Sequence, residues 1–466
     1  MLFSSITFLY YFLPIVIILY LLSPSKLKNT VILISSLVFY GWGEPKFLPL
    51  IISTILIGYG LGLLMETTKS KAAKNILVAF LVVISLGILG YYKYTDFFIS
   101  TVNGVLGKDI PLLHMALPIG ISFYTFQMMS YVIDVYRGDV KAQKNIINLA
   151  AYIVMFPQLI AGPIVRYKDI ELSLTSRNHS LNKISCGIRR FSIGLGKKVL
   201  IANTLGLLVE AYKVTEAPSV IYVWLYAIAA SLQIYFDFSG YSDMAIGLGS
   251  LFGFNFPENF DYPYVSESVT EFWRRWHMTL GQWFRDYLYI PLGGNRVTKI
   301  RWIFNIFVVW MATGLWHGAS WNFVIWGLYF AVLLMLEKLV LLEQLKKTKV
   351  IGHLYLILLV IISFVIFDGE DIHDSLRNIT MMFGFGNVPV WTMESVFMLI
   401  NYGTVLLIAI IGAAGLPALG IKKLCENKST SKYINILEPI FIGLLLIICT
   451  GFLVNGSFNP FLYFRF

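Results

Sequence analysis

Residues 302–336 read WIFNIFVVWMATGLWHGASWNFVIWGLYFAVLLML, with no Asp, Glu, Lys or Arg and a single histidine, His317. A helix needs about 20 apolar residues to cross the ~30 Å hydrocarbon core of a bilayer. This stretch is too long for one span, and the break Trp316-His317-Gly318-Ala319-Ser320-Trp321 divides it into apolar runs at 302–316 and 320–336. Similar runs lie at 6–22, 31–43, 46–65, 75–91, 117–136, 146–162, 191–209, 219–236, 350–367, 396–417 and 433–454. They predict an all-α, polytopic membrane protein, although not every run need be a full span.

Composition agrees. Of the 466 residues 57% are hydrophobic and 13% charged, against about 45–50% and 25% in soluble proteins, which excludes an ordinary cytosolic enzyme. The net charge of +10 sits in short loops between apolar runs rather than on one basic face, so it reads as a topology signal and not as a nucleic-acid footprint. Cys186, Cys425 and Cys449 have neither metal-ligand nor paired spacing, so no metal site is expected.

The loop charges give an orientation. No basic residue precedes the first run, which reads as a retained span rather than a signal peptide. Lys26, Lys28, Lys69, Lys71 and Lys74 place the following loops in the cytoplasm and the N-terminus outside. Later, the basic loop 338–349, the acidic loop of Asp368, Glu370, Asp371 and Asp374, and the basic loop 422–432 read in, out, in. The tail 455–466 then faces outward. With no linker, repeat or soluble insert visible, residues 1–466 read as one integral membrane domain.

Segment 254–301 breaks the apolar pattern because charges crowd it. Within it Trp273, Trp276, Leu280, Trp283 and Tyr287 recur at helical spacing, with Arg275, Gln282 and Arg285 on another face. Glu271 and Arg275 stand four apart with the acid first, the favoured order. This predicts an amphipathic helix, either an interfacial anchor or a helix buried against others, with His277 on the side of Trp273, Gly281 and Phe284. His317 lies 16 residues beyond Arg301, roughly 24 Å along a straight helix. That puts it within the membrane or near its outer boundary, where an imidazole needs a partner or a function. His179 and His373 sit in polar loops and His114 and His353 near segment ends, so they are expected to be solvated or interfacial. Asp237, Tyr241 and Asp243 place carboxylates and hydroxyls beside an apolar run, as a polar network between helices or as part of a site. Arg166, Lys168, Lys183, Arg189, Arg190, Lys197 and Lys198 read as a positive-inside loop that is also able to attract phosphates. Gly-x-Ser-x-Gly, His-Glu-x-x-His, Walker A and Gly-x-Gly-x-x-Gly motifs are absent from the sequence, leaving serine hydrolysis, zinc proteolysis and ATP-driven transport unsupported.

Six blocks carry a family resemblance. They are 117–127 (LPIGISFYTFQ), 233–247 (QIYFDFSGYSDMAIG), 256–260 (FPENF), 271–277 (EFWRRWH), 285–294 (RDYLYIPLGG) and 315–319 (LWHGA). They resemble the membrane-bound O-acyltransferase family, most closely its alginate O-acetyltransferase branch. The resemblance implies about 11–12 transmembrane helices, with re-entrant or interfacial helices, around a central thinned channel. It makes His317 and His277 the catalytic pair. Trp316, Trp273, Arg274, Arg275, Trp276, Arg285, Asp286, Asp237, Tyr241 and Asp243 are the candidates for framing the site. It further implies acetyl-CoA as a cytoplasmic donor substrate with no bound cofactor, and an extracytoplasmic polysaccharide as acceptor. The implied partners are the lipid bilayer, an extracytoplasmic O-acetyltransferase of esterase-like fold and a polysaccharide synthesis or export complex, in a bacterial cytoplasmic membrane. The terminal sequence 459–466 (NPFLYFRF) resembles the Phe-x-Tyr-Phe-x-Phe ending of this family's polysaccharide systems, which makes Tyr463 a candidate acyl carrier. Taken alone, the tail reads as an interfacial aromatic anchor. D-alanyl transfer to teichoic acid, a transporter using Asp237 and Asp243, and a non-catalytic scaffold are the competing functions.

Overall fold

The computed structural model describes residues 1–456 and 461–462, and every regular element among them is helical. Among the described residues eight helices are long and apolar enough to cross a membrane: Pro45–Thr67, Lys71–Leu106, Leu181–Lys213, Val220–Leu251, Trp321–Lys347, Lys349–Asp368, Met393–Ala413 and Ser429–Asn455. The shorter Phe8–Leu22 is also apolar. The runs at 31–43, 117–136 and 302–316 fold into the helices Lys28–Gly43, Ile121–Arg137 and Lys299–His317, outside that group of eight. Many apolar side chains on these helices face outward: Leu437, Ile440, Phe441, Leu444 and Ile447 are all more than half exposed. Their spacing of three and four marks a helix face solvated by lipid rather than water.

The chain forms two compact units, one of residues 1–191 and 242–258, the other of residues 192–241 and 259–466. In the first, Pro45–Thr67 packs on Ile121–Arg137 and Lys28–Gly43 on Ile146–Val154. A cluster of Phe3, Phe8, Phe12, Phe39 and Phe156 fills the space beside them. The run 146–162 is not one span. It breaks at Met155 into Ile146–Val154 and Phe156–Leu159, with Pro157 in the second piece, and it is buried from Leu149 to Val165. Proline cannot donate the hydrogen bond that would have continued the first helix.

In the second unit the hairpin Lys299–His317 and Trp321–Leu336 is the most closely packed pair of helices. Gly314 and Gly327 make that contact possible. A β-carbon on Gly314 would stand 2.1 Å from the Phe323 carbonyl oxygen, and one on Gly327 would stand 2.2 Å from that of Trp310. The backbones therefore touch, as small residues allow inside membranes.

Several basic residues read as loop charges have other work. Lys168 reaches Asp134 at 3.5 Å, Arg166 pairs with Asp169, and Arg190 bonds Asp243 and Glu258. Lys198 is 2% exposed and pairs with Asp237. Asp368, counted above in an acidic outer loop, pairs with Lys213 at 2.9 Å and accepts a bond from the Tyr226 hydroxyl. Charges in or near lipid take such partners because an isolated charge there is costly.

Candidate active site

His317 is the last residue of the helix Lys299–His317, so the chain from Arg301 to His317 is helical throughout. The next residue, Gly318, is extended, and Ser320 caps the following helix by accepting from the Asn322 N–H. Only glycine fits at 318, where a β-carbon would stand 2.1 Å from the Phe323 ring. His317 is 5% exposed and makes edge contacts with Trp316, Trp326 and Phe367, at 5.1, 5.1 and 5.4 Å between ring centroids. It lines a cavity of about 400 Å³, open space at its mouth included, whose aromatic walls are Phe238, Trp276, Trp326, Phe364 and Phe367. His317 and Asp237 are the ionisable groups among these walls. A largely apolar, water-poor surround strengthens every polar interaction formed inside it.

The second histidine reaches the same neighbourhood by a different route. The amphipathic helix expected across 273–287 is interrupted: Val269–Arg275 and Met278–Phe284 are separate helices, and His277 stands between them at φ +42° and ψ +52°. This left-handed conformation is strained for a residue with a side chain. The loop Asn259–Asp261 compensates the break. Asp261 N–H donates to the Arg275 carbonyl, and Met278 N–H donates to that of Asn259. Trp276, Leu280, Trp283 and Tyr287 are buried, so the segment is packed into protein rather than being a peripheral anchor.

The hydrogen bonds also fix the imidazole tautomer. Asn259 Oδ1 takes donors from Thr279 N–H at 3.4 Å and Thr279 Oγ1 at 2.8 Å, and it lies 3.0 Å from His277 Nδ1. A backbone N–H can only donate, so this atom is the amide oxygen and His277 donates from Nδ1. Neutral His277 therefore carries its lone pair on Nε2, which is buried and has no hydrogen-bond partner among the described residues. Segment 269–284 lies outside the membrane-spanning helices. Burial, with the His317 ring as a smaller cause, holds His277 well below the ordinary imidazole range. His277 stacks edge-on against Phe238 at 4.7 Å, and its ring lies 5.8 Å from that of Trp316. The two histidines thus flank one indole.

A buried ionic group borders the cavity. Asp237 is 3% exposed and pairs with Lys198 at 2.5 Å through Oδ1, while its Oδ2 accepts the Leu462 N–H at 2.8 Å. Tyr241, one turn further on the helix Val220–Leu251, packs edge-on against Phe461 at 4.7 Å.

Residues 140–372, half of the chain, match the description of the membrane-bound O-acyltransferase family. A probable alginate O-acetylase of Pseudomonas putida is 39% identical over the full length of both chains. The Pseudomonas aeruginosa protein of that name is 43% identical over 83% of this chain and 75% of its own. A peptidoglycan O-acetyltransferase of Helicobacter pylori is 32% identical over 84% of this chain and 81% of its own. The chain belongs to the membrane-bound O-acyltransferase family. It is accordingly a multi-pass membrane O-acyltransferase.

Within this O-acyltransferase the structure sorts the candidate residues. His317, Trp276 and Asp237 line the cavity. His277, Trp316 and Tyr241 are buried in contact with it or with its neighbours. Trp273 does not line it but packs against its wall residue Trp326, and against Trp310 and Phe330. Arg274, Arg275 and Arg285 do not line the cavity. Arg274 and Arg285 are exposed, Arg285 pairs with its neighbour Asp286, and Arg275 is tied to Glu271 and Asp261. Asp243 turns to Arg190 instead. Tyr463 lies outside the described residues. Among the other histidines, His114 and His373 are exposed as expected. His179 is exposed yet bonded to the Tyr20 hydroxyl, and His353 donates to the Ser266 carbonyl.

Two supporting residues, Asn259 and Glu337, were not singled out from sequence, and a third, Lys198, was read only as a loop charge. Glu337 is fully buried and accepts from Val269 N–H at 2.6 Å, Thr270 N–H at 2.8 Å and Thr270 Oγ1 at 2.7 Å. It thereby caps the helix that leads to His277, where a negative charge also suits the helix dipole. An acidic residue at the end of an apolar run was the available signal. Glu337→Ala orphans three donors and is expected to cost about 2–4 kcal/mol, read as a lower melting temperature of the protein in nanodiscs.

Asn259 yields a sharper test. Asn259→Ala should lower acyl transfer by about 10²-fold, because the His277 ring loses its orienting acceptor. Asn259→Asp keeps the acceptor and adds a charge that raises the His277 pKa, so activity should persist with its acid limb moved to higher pH. Stability has the matching sign. Below about pH 6.5 the unfolded chain takes up a proton at position 277 that the folded chain resists, so the wild type should lose stability as pH falls, and Asn259→Asp should lose less. Identical pH profiles for the two proteins would remove the assigned role of Asn259.

Proposed function

We propose that this O-acyltransferase moves acetyl groups from cytoplasmic acetyl-CoA to an extracytoplasmic polysaccharide, namely alginate, another exopolysaccharide or a cell-wall polymer, in a bacterial cytoplasmic membrane. The alginate O-acetylase and peptidoglycan O-acetyltransferase names of the Pseudomonas and Helicobacter relatives support the acetyl group and the polymeric acceptor. The observation that carries the chemistry is the placement of His317 in the wall of an aromatic cavity, with the ring of His277 against the wall residue Phe238 and its Nε2 buried.

In this reading His317 removes the proton of an acceptor hydroxyl as its oxygen attacks the thioester carbonyl. The C–O bond forms, the C–S bond breaks, and the departing thiolate recovers the proton from the imidazolium. The single hydroxyl proton goes to His317; His277, as the Nδ1–H tautomer with its lone pair on Nε2, is not the donor to the oxyanion and acts by holding the wall of the site through Phe238 and Trp316. No covalent serine or cysteine is required, since transfer from a thioester to an alcohol is downhill and the difficulty is alignment and exclusion of water. The first acceptor is Tyr463, whose phenol has a pKa near 10. Its ester is a better acyl donor than a sugar ester, so the group can pass on to an extracytoplasmic transferase of esterase-like fold within a polysaccharide synthesis or export complex.

The test is reconstitution in proteoliposomes with acetyl-CoA carrying a labelled acetyl group, supplied to one face only. Label should appear on the protein or on an acceptor at the opposite face. Labelling only by a D-alanyl carrier protein, or passage of a solute without acyl transfer, would replace this function with D-alanylation or transport.

A further inference from the structure

We propose that Lys198, Asp237 and Tyr241 form a seat for the chain's own C-terminal segment and act as positioning residues that hold Phe461 and Leu462 at the His317 cavity. Leu462 lines that cavity together with His317, although 145 residues separate them in sequence. Phe461 beside it is 1% exposed.

The contacts are of three kinds. Asp237 uses one carboxylate oxygen for the Lys198 ammonium and the other for the Leu462 N–H. An amide N–H left bare in an apolar surround would be costly, so a charged acceptor is a strong anchor for an irregular segment. The Lys198 ammonium also lies 4.6 Å from the Phe461 ring centroid, within cation–π range. Tyr241 meets the same ring edge-on. Asp237 and Tyr241 stand four apart on one helix and so share a face. Lys198 comes from the widened turn Lys197–Ala202 of the helix Leu181–Lys213. Such turns add a residue to the helical repeat and recur at functional sites.

A buried ion pair is a poor device for stability alone, because desolvation offsets most of its attraction. Here both partners also hold the tail, the carboxylate through its second oxygen and the ammonium through the ring face. A pair serving only to tie two helices would need neither contact. The seat fixes the chain one peptide unit before Tyr463, and its catalytic consequence rests on the acyl-carrier reading given above. Holding the tail removes the loop-closure and orientation cost of bringing the phenol to the cavity at each turnover.

The experiment uses the full chain in nanodiscs with para-fluorophenylalanine at position 461. Fluorine NMR with a soluble paramagnetic chelate reads whether that ring is buried, without any turnover. In the wild type the resonance should be protected. In Asp237→Asn and Lys198→Leu it should shift towards the solvent value. Leu462→Pro deletes the N–H that Asp237 accepts and leaves the ion pair untouched, so it should do the same even if the first two variants misfold. In Leu462→Pro, kcat for acetyl transfer should fall about tenfold with the KM for acetyl-CoA unchanged, since only alignment of the acceptor is lost. An exposed ring in the wild type, or a ring still protected in Leu462→Pro, would overturn the seat. A protected ring in a protein that transfers no acetyl group would instead count against the acetyltransferase reading and leave the seat standing.

Discussion

Replacing His317 by alanine is expected to cut acyl transfer by about 10²–10⁴-fold, the range associated with loss of a general base. His317 is the one imidazole lining the cavity, and its edge contacts with Trp316, Trp326 and Phe367 hold the ring in place. Truncation also removes that packing, so the measurement needs a folding control: thermal unfolding in nanodiscs beside initial rates of acetyl transfer from labelled acetyl-CoA. The KM for the donor should change little, because the lost interaction is made to the proton in flight rather than to the thioester. Near-normal transfer by folded His317→Ala protein would end the assignment of His317 as base.

Tyr463→Phe is the second large effect. Loss of one hydroxyl should leave assembly and thermal stability unchanged and stop acetylation of the polymer, since no phenol remains to carry the acyl group. The sequence resemblance motivates this result, and Leu462, the residue before Tyr463, borders the cavity. Two readouts separate the steps: label retained on the protein after a single turnover, and label reaching polymer in cells. Both should vanish in Tyr463→Phe. Unchanged polymer acetylation would mean that the acceptor hydroxyl enters the cavity directly and that the tail has another task.

The site was legible in sequence to different depths. His317 stood out because a lone imidazole between two apolar runs is expensive in lipid, and it ends a helix continuous from Lys299. His277 was found as a residue but not as a geometry. Periodicity across 273–287 describes a continuous helix, and the side chains on that face are indeed buried. The backbone nevertheless breaks at His277, because the loop Asn259–Asp261 supplies the donors and acceptors that an interrupted helix needs. The arginines nearby were likewise found as residues but not as a geometry, and none lines the cavity. Arg274, Arg275 and Arg285 stand beside His277 in sequence, but two are exposed and one is engaged by Glu271 and Asp261.

The sequence by itself determined the solvent, the all-helical architecture, the family and the position of His317. These follow from local quantities: hydropathy over one span, residue spacing along one helix, and contiguous motifs. Only the tertiary structure decided which charges are topology signals and which are buried partners, as with Lys198 on Asp237 and Glu337 on the helix leading to His277. It also decided the tautomer of His277 and the approach of Leu462 to the His317 cavity. Each of these joins residues from 18 to 225 positions apart. A charge or a strained backbone is tolerable in a membrane only where a particular partner meets it, and the choice of partner belongs to packing in three dimensions.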